Sequence, residues 1–214
     1  MFVSAATPIA KSKTAALARI LDSLAKGYTR YTCGQVKVSK AVALANKFHR
    51  LYGVGCTPAQ RVTRKKHGFA NALLVMFWPE DAENVEWLML FTAGSGAESE
   101  HLRNITDKPR LNWLGYELVR HAACGKTVWT WKRPKAEMGE HLAFLKDTLA
   151  KHHYGAVADA LTRIANQPGF HGVREQSWSL CQFARRNGYP GELPFLFYLQ
   201  KVSHGDKLLL TDAD

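Results

Sequence analysis

The chain lacks most of the features that would mark a secreted, membrane-spanning, metal-dependent or nucleotide-hydrolysing protein. Its four cysteines, Cys33, Cys56, Cys124 and Cys181, lie far apart, and none forms a Cys-x-x-Cys or Cys/His pair at zinc-ligand spacing. Free thiols in a reducing cytoplasm are therefore expected. No apolar run approaches the ~20 residues that span a bilayer, and the few apolar residues before Pro8 are too short for a signal-peptide core. The expectation is a cytoplasmic protein with no membrane partner. There is no Gly-x-x-x-x-Gly-Lys-Ser/Thr loop, Gly94-Ser95-Gly96 lacks the third glycine of a dinucleotide fingerprint, and no Gly-x-Ser-x-Gly elbow is present. The strands expected below carry only Glu86 and Glu117, too few carboxylates to converge on a catalytic cation. Neither a metal nor a cofactor is expected.

Acidic residues are scarce in one place. Residues 1–66 hold 13 Lys and Arg against a single acid, Asp22, whereas residues 67–112 hold 3 against 7, residues 113–154 hold 7 against 4, and residues 155–214 hold 6 of each. The formal net charge of +11 thus accumulates in the first third. Charge that served only solubility would be spread evenly, so this asymmetry points to a polyanion, and nucleic acid is the natural one. An anionic membrane would instead select one strongly amphipathic basic helix.

What is present reads as a folded chain. With 214 residues, 46% hydrophobic and 22% charged, it suits one large domain or a main domain with an appendage. No internal repeat or low-complexity linker interrupts it. Leu17, Ile20, Leu21 and Leu24 give a helix over residues 13–26, with Ser12 or Thr14 as cap, Gly27 as stop, and Arg19 and Lys26 on a solvated face. Residues 28–38 are rich in aromatic and β-branched types and predict a strand bent or bulged at Gly34. Ser39 is expected to cap a helix that ends at Gly53, with Ala41, Leu44, Ala45, Phe48 and Leu51 inward and Lys40, Lys47 and Arg50 outward. A basic loop over residues 61–68 then leads into residues 69–78, an apolar run bounded by Gly68 and Pro79 that suits a central strand buried on both faces. Residues 85–91 return as its hairpin partner across an acidic connection at residues 80–84.

Gly94-Ser95-Gly96 is expected to hinge into a short polar helix holding Leu102 and Ile105. Residues 113–120 and 126–132 predict another strand pair, with Thr127, Trp129 and Trp131 on one face. From residue 134 the periodicity is helical throughout. The fold class is α+β: a mixed or largely antiparallel sheet of about four to five strands, with N-terminal helices and a helical C-terminal third. The expected division is a basic α/β region, residues 1–133, and a helical region, residues 134–214, packed on it as a second domain or as part of one.

The functional expectation is a nucleic-acid-binding protein, a non-catalytic subunit of a nucleoprotein complex that also meets other protein subunits. Backbone contacts are assigned to Lys37, Lys40, Lys47, Arg50, Arg61, Arg64, Lys65 and Lys66, with Arg30 and His67 beside them and Lys132 and Arg133 flanking the tryptophan strand. Six to eight neutralised phosphates would give log K a slope on log salt of roughly −4 to −7. Tyr28, Tyr31, Trp129 and Trp131 are candidate stacking platforms, which favours RNA or single-stranded DNA. Two other classes remain open: a metal-independent endoribonuclease using His67 or His49 as acid or base, and an adaptor or inhibitor whose cations meet an acidic protein.

One local resemblance carries a different chemistry. His171-Gly172-Val173-Arg174, followed by a helix and then Tyr198, resembles the end of a tyrosine recombinase, in which a His-x-x-Arg pair precedes the nucleophilic tyrosine. The resemblance is confined to residues 171–198. The helical core with an upstream arginine that this family places before the motif is replaced here by expected strands. The alternative is structural: a turn at Gly169 to Gly172, with Arg174 in the first turn of a helix.

Overall fold

The structure, a computed structural model, describes residues 8–79, 82–123, 125–199 and 208–209. Glu80 and Asp81 of the expected acidic connection, and Cys124, lie outside the described residues. The chain divides into two compact units, Met1–Pro109 with Val202–Asp214, and Arg110–Lys201. The second unit therefore includes the strand pair at residues 113–132 as well as the helical stretch that follows.

The first unit runs β1 (Pro8–Ile9), α1 (Lys13–Leu24), β2 (Arg30–Lys37), α2 (Val38–Tyr52), α3 (Pro58–Lys66), β3 (Ala72–Phe77), β4 (Asn84–Phe91) and β5 (Arg103–Asn104). A two-residue β9 (Leu208–Leu209) joins it from near the other end of the chain. The strand order is β5-β2-β4-β3-β1-β9, antiparallel except that β1 lies parallel to β3. The β3–β4 hairpin is the centre of this sheet, as its apolar content implied, and Ala72 through Met76 are all buried. Alternation of side chains sends Leu74 and Met76, with Met89 and Phe91, into a core with Ala41, Ala45, Phe48 and Tyr52 of α2. Helix α1 packs on β3 and buries Leu17, Ile20 and Leu24. Ser12 caps it by accepting the Ala15 N–H at 3.1 Å. Helix α2 starts at Val38 without a side-chain cap, one residue before Ser39, and ends on Gly53 in the left-handed region at φ 67°.

Two local expectations in this unit are corrected. β2 is unbroken: every residue from Arg30 to Lys37 has one partner on β4, so no bulge exists at Gly34. A Cβ at Gly34 would lie 2.9 Å from Cζ2 of Trp87, whose indole packs on Phe48 with ring centroids 5.2 Å apart. The glycine is there to let the indole approach the backbone. The expected hinge at Gly94 to Gly96 is pinned instead: the Ala70 N–H donates to Ser95 O at 2.9 Å, the Ser95 N–H to Gly68 O at 3.0 Å, and Arg30 Nη2 to the carbonyls of Thr92 and Gly94 at 2.6 and 3.0 Å. No helix follows it. Asn104 Oδ1 accepts the Thr106 N–H at 3.0 Å and Asp107 Oδ2 accepts the Asn104 N–H at 2.8 Å, local bonds that compete with helix formation.

The second unit opens with a three-stranded antiparallel sheet, β6 (Asn112–Trp113), β7 (Tyr116–Ala123) and β8 (Lys126–Lys132). Leu114 and Gly115, at φ 51° and 83°, form the two-residue turn that splits the expected strand over residues 113–120. Helices α4 (Lys135–Ala150), α5 (Tyr154–Ala165) and α6 (His171–Arg186) follow. They share a core of Leu145, Leu149, Val157, Leu161, Ile164, Leu180, Cys181 and Ala184. The α6 N-terminus docks directly on β8: the Gly172 N–H donates to Thr130 Oγ1 at 3.1 Å, and a Cβ at Gly172 would sit 2.6 Å from Trp131 O.

Arg133 closes this unit from inside and is only 1% exposed. Its Nε donates to Gln167 Oε1 at 2.6 Å, Nη1 to Val173 O at 3.2 Å, and Nη2 to Ile164 O at 3.2 Å and Ser177 Oγ at 2.8 Å. Glu137 lies 3.9 Å away. Burial pulls its pKa down from the ordinary arginine value, while Tyr116 and Glu137 push the other way. The class is α+β, as expected. Among the described residues no helix is long and apolar enough to cross a membrane, and Cys33, Cys56 and Cys181 are free.

Candidate functional site

The basic stretch is helical from Arg61 to Lys66, within α3, rather than the expected loop, and His67 and Gly68 turn out of the helix. Thr57 and Gln60 form a capping box, in which Thr57 Oγ1 accepts the Gln60 N–H at 3.3 Å and Gln60 Oε1 accepts the Thr57 N–H at 2.8 Å. Pro58 occupies the first turn, where its missing N–H costs nothing. Thr57, Pro58 and Gln60 carry this start signal in the sequence itself. Arg64, Lys65 and Lys66 fill the last turn, where exposed carbonyls favour positive charge. No residue of α3 is buried, and Val62 is 56% exposed.

The expected ligands separate into anchors and open cations. Arg64 Nη2 donates to Ala70 O at 3.1 Å, with its guanidinium 5.7 Å from the Phe69 ring centroid. Arg61 Nη2 donates to Val54 O at 3.4 Å, and the Arg61 carbonyl accepts from Asn71 Nδ2 at 3.1 Å. These half-buried arginines hold α3 to the unit. Lys37, Lys40, Lys47, Arg50, Lys65 and Lys66 are exposed, and among the described residues none of the six makes an ion pair. Lys40, Lys47 and Arg50 lie on the side of α2 away from Ala41, Ala45 and Phe48.

Other expected contacts do not belong to this surface. Arg133 is buried in the second unit and offers no guanidinium surface to phosphate. Lys132 is paired with Glu175 at 2.8 Å, and that contact holds the Glu175 carboxyl below its usual range. Arg30 is engaged with the Thr92 and Gly94 carbonyls. His49 Nδ1 accepts the Gly55 N–H at 3.1 Å, which closes the α2–α3 link, while His67 is exposed and terminates α3. Tyr28, Tyr31 and Trp131 are 6%, 3% and 0% exposed, so they pack in the cores rather than forming platforms. Trp129 alone remains half-buried, with the Arg120 guanidinium 5.0 Å from its ring centroid.

Tertiary structure also gathers residues that the sequence left scattered. Arg19 and Lys26, read as solvated, line a pocket of about 540 Å³ together with Asp22, Arg61, Lys65 and Asn71. Burial lowers the Arg19 pKa, the Arg61 charge lowers it further, and Asp22 opposes both. In the second unit a cleft of about 720 Å³ is lined by His171, Arg174, Glu175, Trp178, Phe195 and Tyr198. The His-x-x-Arg segment and Tyr198 do meet there, but the Arg174 guanidinium lies on the face of the Tyr198 ring, 3.3 Å from its centroid, and its Nε donates to Leu196 O. The stretch before the motif includes the β6–β8 sheet, where the recombinase pattern has a helical core. The His121 and His171 rings, 4.1 Å apart, are a pair that the sequence did not announce. Among the described residues no three His, Cys, Asp or Glu side chains converge as a metal site. No family model, curated protein or solved structure matches the chain.

Proposed function

We propose that this protein binds nucleic acid through the outer surfaces of α2 and α3, with RNA and single-stranded DNA the favoured forms, as a non-catalytic subunit of a nucleoprotein complex. The observation that carries this reading is α3 itself. A nine-residue helix with four cations, no acid and no buried residue draws nothing from a hydrophobic core. Arg61 and Lys65, four residues apart, repel each other across one face. Caps and two arginine anchors hold the helix against that repulsion, and a row of phosphates would relieve it. The six exposed cations, which make no ion pair among the described residues, set the expected footprint.

The test is equilibrium binding of labelled single-stranded RNA, single-stranded DNA and duplex DNA at several salt concentrations in EDTA. Six backbone contacts to a single strand give a slope of log K on log salt of about −4. Changing Lys47, Lys65 and Lys66 together to glutamine should reduce that slope by about two and leave the melting temperature within roughly 1 °C, because these groups are exposed. Absence of binding at low salt would end the proposal. Strand cleavage in EDTA would transfer it to the histidines.

A further inference from the structure

The pocket between the end of α1 and α3 has the chemistry of a nucleotide seat. Four cations line it, Arg19 and Lys26 from α1 and its C-terminal flank, Arg61 and Lys65 from α3, against the single carboxylate of Asp22. Arg19 and Arg61 are close enough for one charge to depress the pKa of the other, an arrangement that an anion between them would stabilise. Asn71 forms part of the same wall and is 8% exposed. Its Nδ2 donates to the Arg61 carbonyl at 3.1 Å, which ties α3 to the pocket wall.

Size distinguishes the ligand. Bare phosphate would satisfy the cations but fills only a small part of a pocket of about 540 Å³. A nucleotide supplies a phosphate for Arg19, Lys26, Arg61 and Lys65 and a sugar and base that occupy the remaining space. The volume of about 540 Å³ lies within the range of roughly 300–1,000 Å³ typical of small-ligand pockets. We infer that this pocket holds one nucleotide, either free or as a unit of a single strand, with its phosphate among Arg19, Lys26, Arg61 and Lys65. The strand form of the inference rests on the nucleic-acid reading above; the free form does not. Duplex is excluded from the pocket, because a paired and stacked nucleotide cannot enter without being flipped out.

The experiment uses the full chain, 3′-labelled eight-nucleotide oligo(U) with a 5′-phosphate or a 5′-hydroxyl, and unlabelled AMP and inorganic phosphate as competitors at matched ionic strength. Arg19→Gln and Lys26→Gln remove charge while keeping the side-chain stem, and Lys26 is exposed, so at least that variant retains the fold; melting curves verify both. The pocket predicts that each variant weakens oligo(U) by about tenfold, a charge-assisted contact to phosphate being lost. It also predicts that AMP displaces oligo(U) at concentrations where inorganic phosphate does not. A preference for the 5′-phosphate places a strand end in the pocket, and equal affinity places an internal unit there; both support the seat. If both variants bind oligo(U) within twofold of the parent and AMP fails to compete, the pocket inference is wrong while nucleic-acid binding survives. If oligo(U) does not bind but AMP, titrated alone by calorimetry, does, the converse holds. If neither binds, both readings fall.

Discussion

Arg133 offers the sharpest test of the physical account, because its sequence context, Lys132-Arg133-Pro134-Lys135, suggests a surface contact and its structure makes it a core residue. Replacing it with alanine removes four side-chain hydrogen bonds, to Gln167, Val173, Ile164 and Ser177. Ser177 Oγ also bonds the Val173 and Ile164 carbonyls, at 3.0 and 3.4 Å, so those acceptors keep a partner. Gln167 Oε1 loses its 2.6 Å donor and keeps only the Tyr116 hydroxyl at 3.4 Å, the volume of the guanidinium is lost outright, and Glu137 is left without its arginine. Removing one member of a buried charge network costs about 3–5 kcal/mol. For a chain of this size that corresponds to a fall in Tm of roughly 6–20 °C. Methionine should cost less, about 1–3 kcal/mol, because it refills the space and eliminates the buried charge together with its desolvation.

The assay is differential scanning calorimetry with near-ultraviolet circular dichroism, run beside oligonucleotide binding below the transition. Both variants should bind as the parent does, since Arg133 faces the interior of the second unit. An Arg133→Ala protein that melts within about 1 °C of the parent would refute the network as a stabilising element. Parental stability with weakened binding would return Arg133 to the surface.

Gly34→Ala should destabilise the first unit by about 1–3 kcal/mol through overpacking against Trp87, with a shift in tryptophan fluorescence; a neutral substitution would show that the indole moves aside freely. Thr57→Ala removes the α3 cap at a cost of about 1 kcal/mol, which should speed hydrogen exchange of the α3 amides about fivefold and leave global melting nearly unchanged. Glu175→Gln tests the ion pair with Lys132. The folded carboxyl has a lowered pKa, so its contribution is present above the unfolded value and is lost as pH falls through the folded value. The variant should therefore be less stable at neutral pH by under about 1 kcal/mol, the pair being partly exposed, and indistinguishable from the parent once the carboxyl is protonated. A difference that persists in acid would assign the effect to packing.

Local order was readable from local chemistry. Ser12 and Gly53 bound their helices, and the apolar run between Gly68 and Pro79 could bury only as a central strand, because burial of that many apolar side chains leaves no other place for it. The alternation in residues 126–132 and the helical stripes after residue 134 were likewise properties of the chain alone. So was the concentration of cations in the first third, from which the functional proposal begins.

What the amino-acid order did not contain was the identity of each neighbour across space. Gly34 suggested a bend until Trp87 was placed against it. Trp131 and Trp129 share a strand face, yet one is sealed in the core and the other half-open, because coverage depends on what packs above each. Arg133 and Lys66 are both cations in basic runs; one is surrounded by carbonyls from α5 and α6, the other by water. Arg19, Lys26 and Lys65 became a pocket only when α1 and α3 were brought together beside Asn71, Leu73 and Thr92. A side chain's type determines which interactions it can make, and the fold decides which partners come within the few ångströms over which those interactions act.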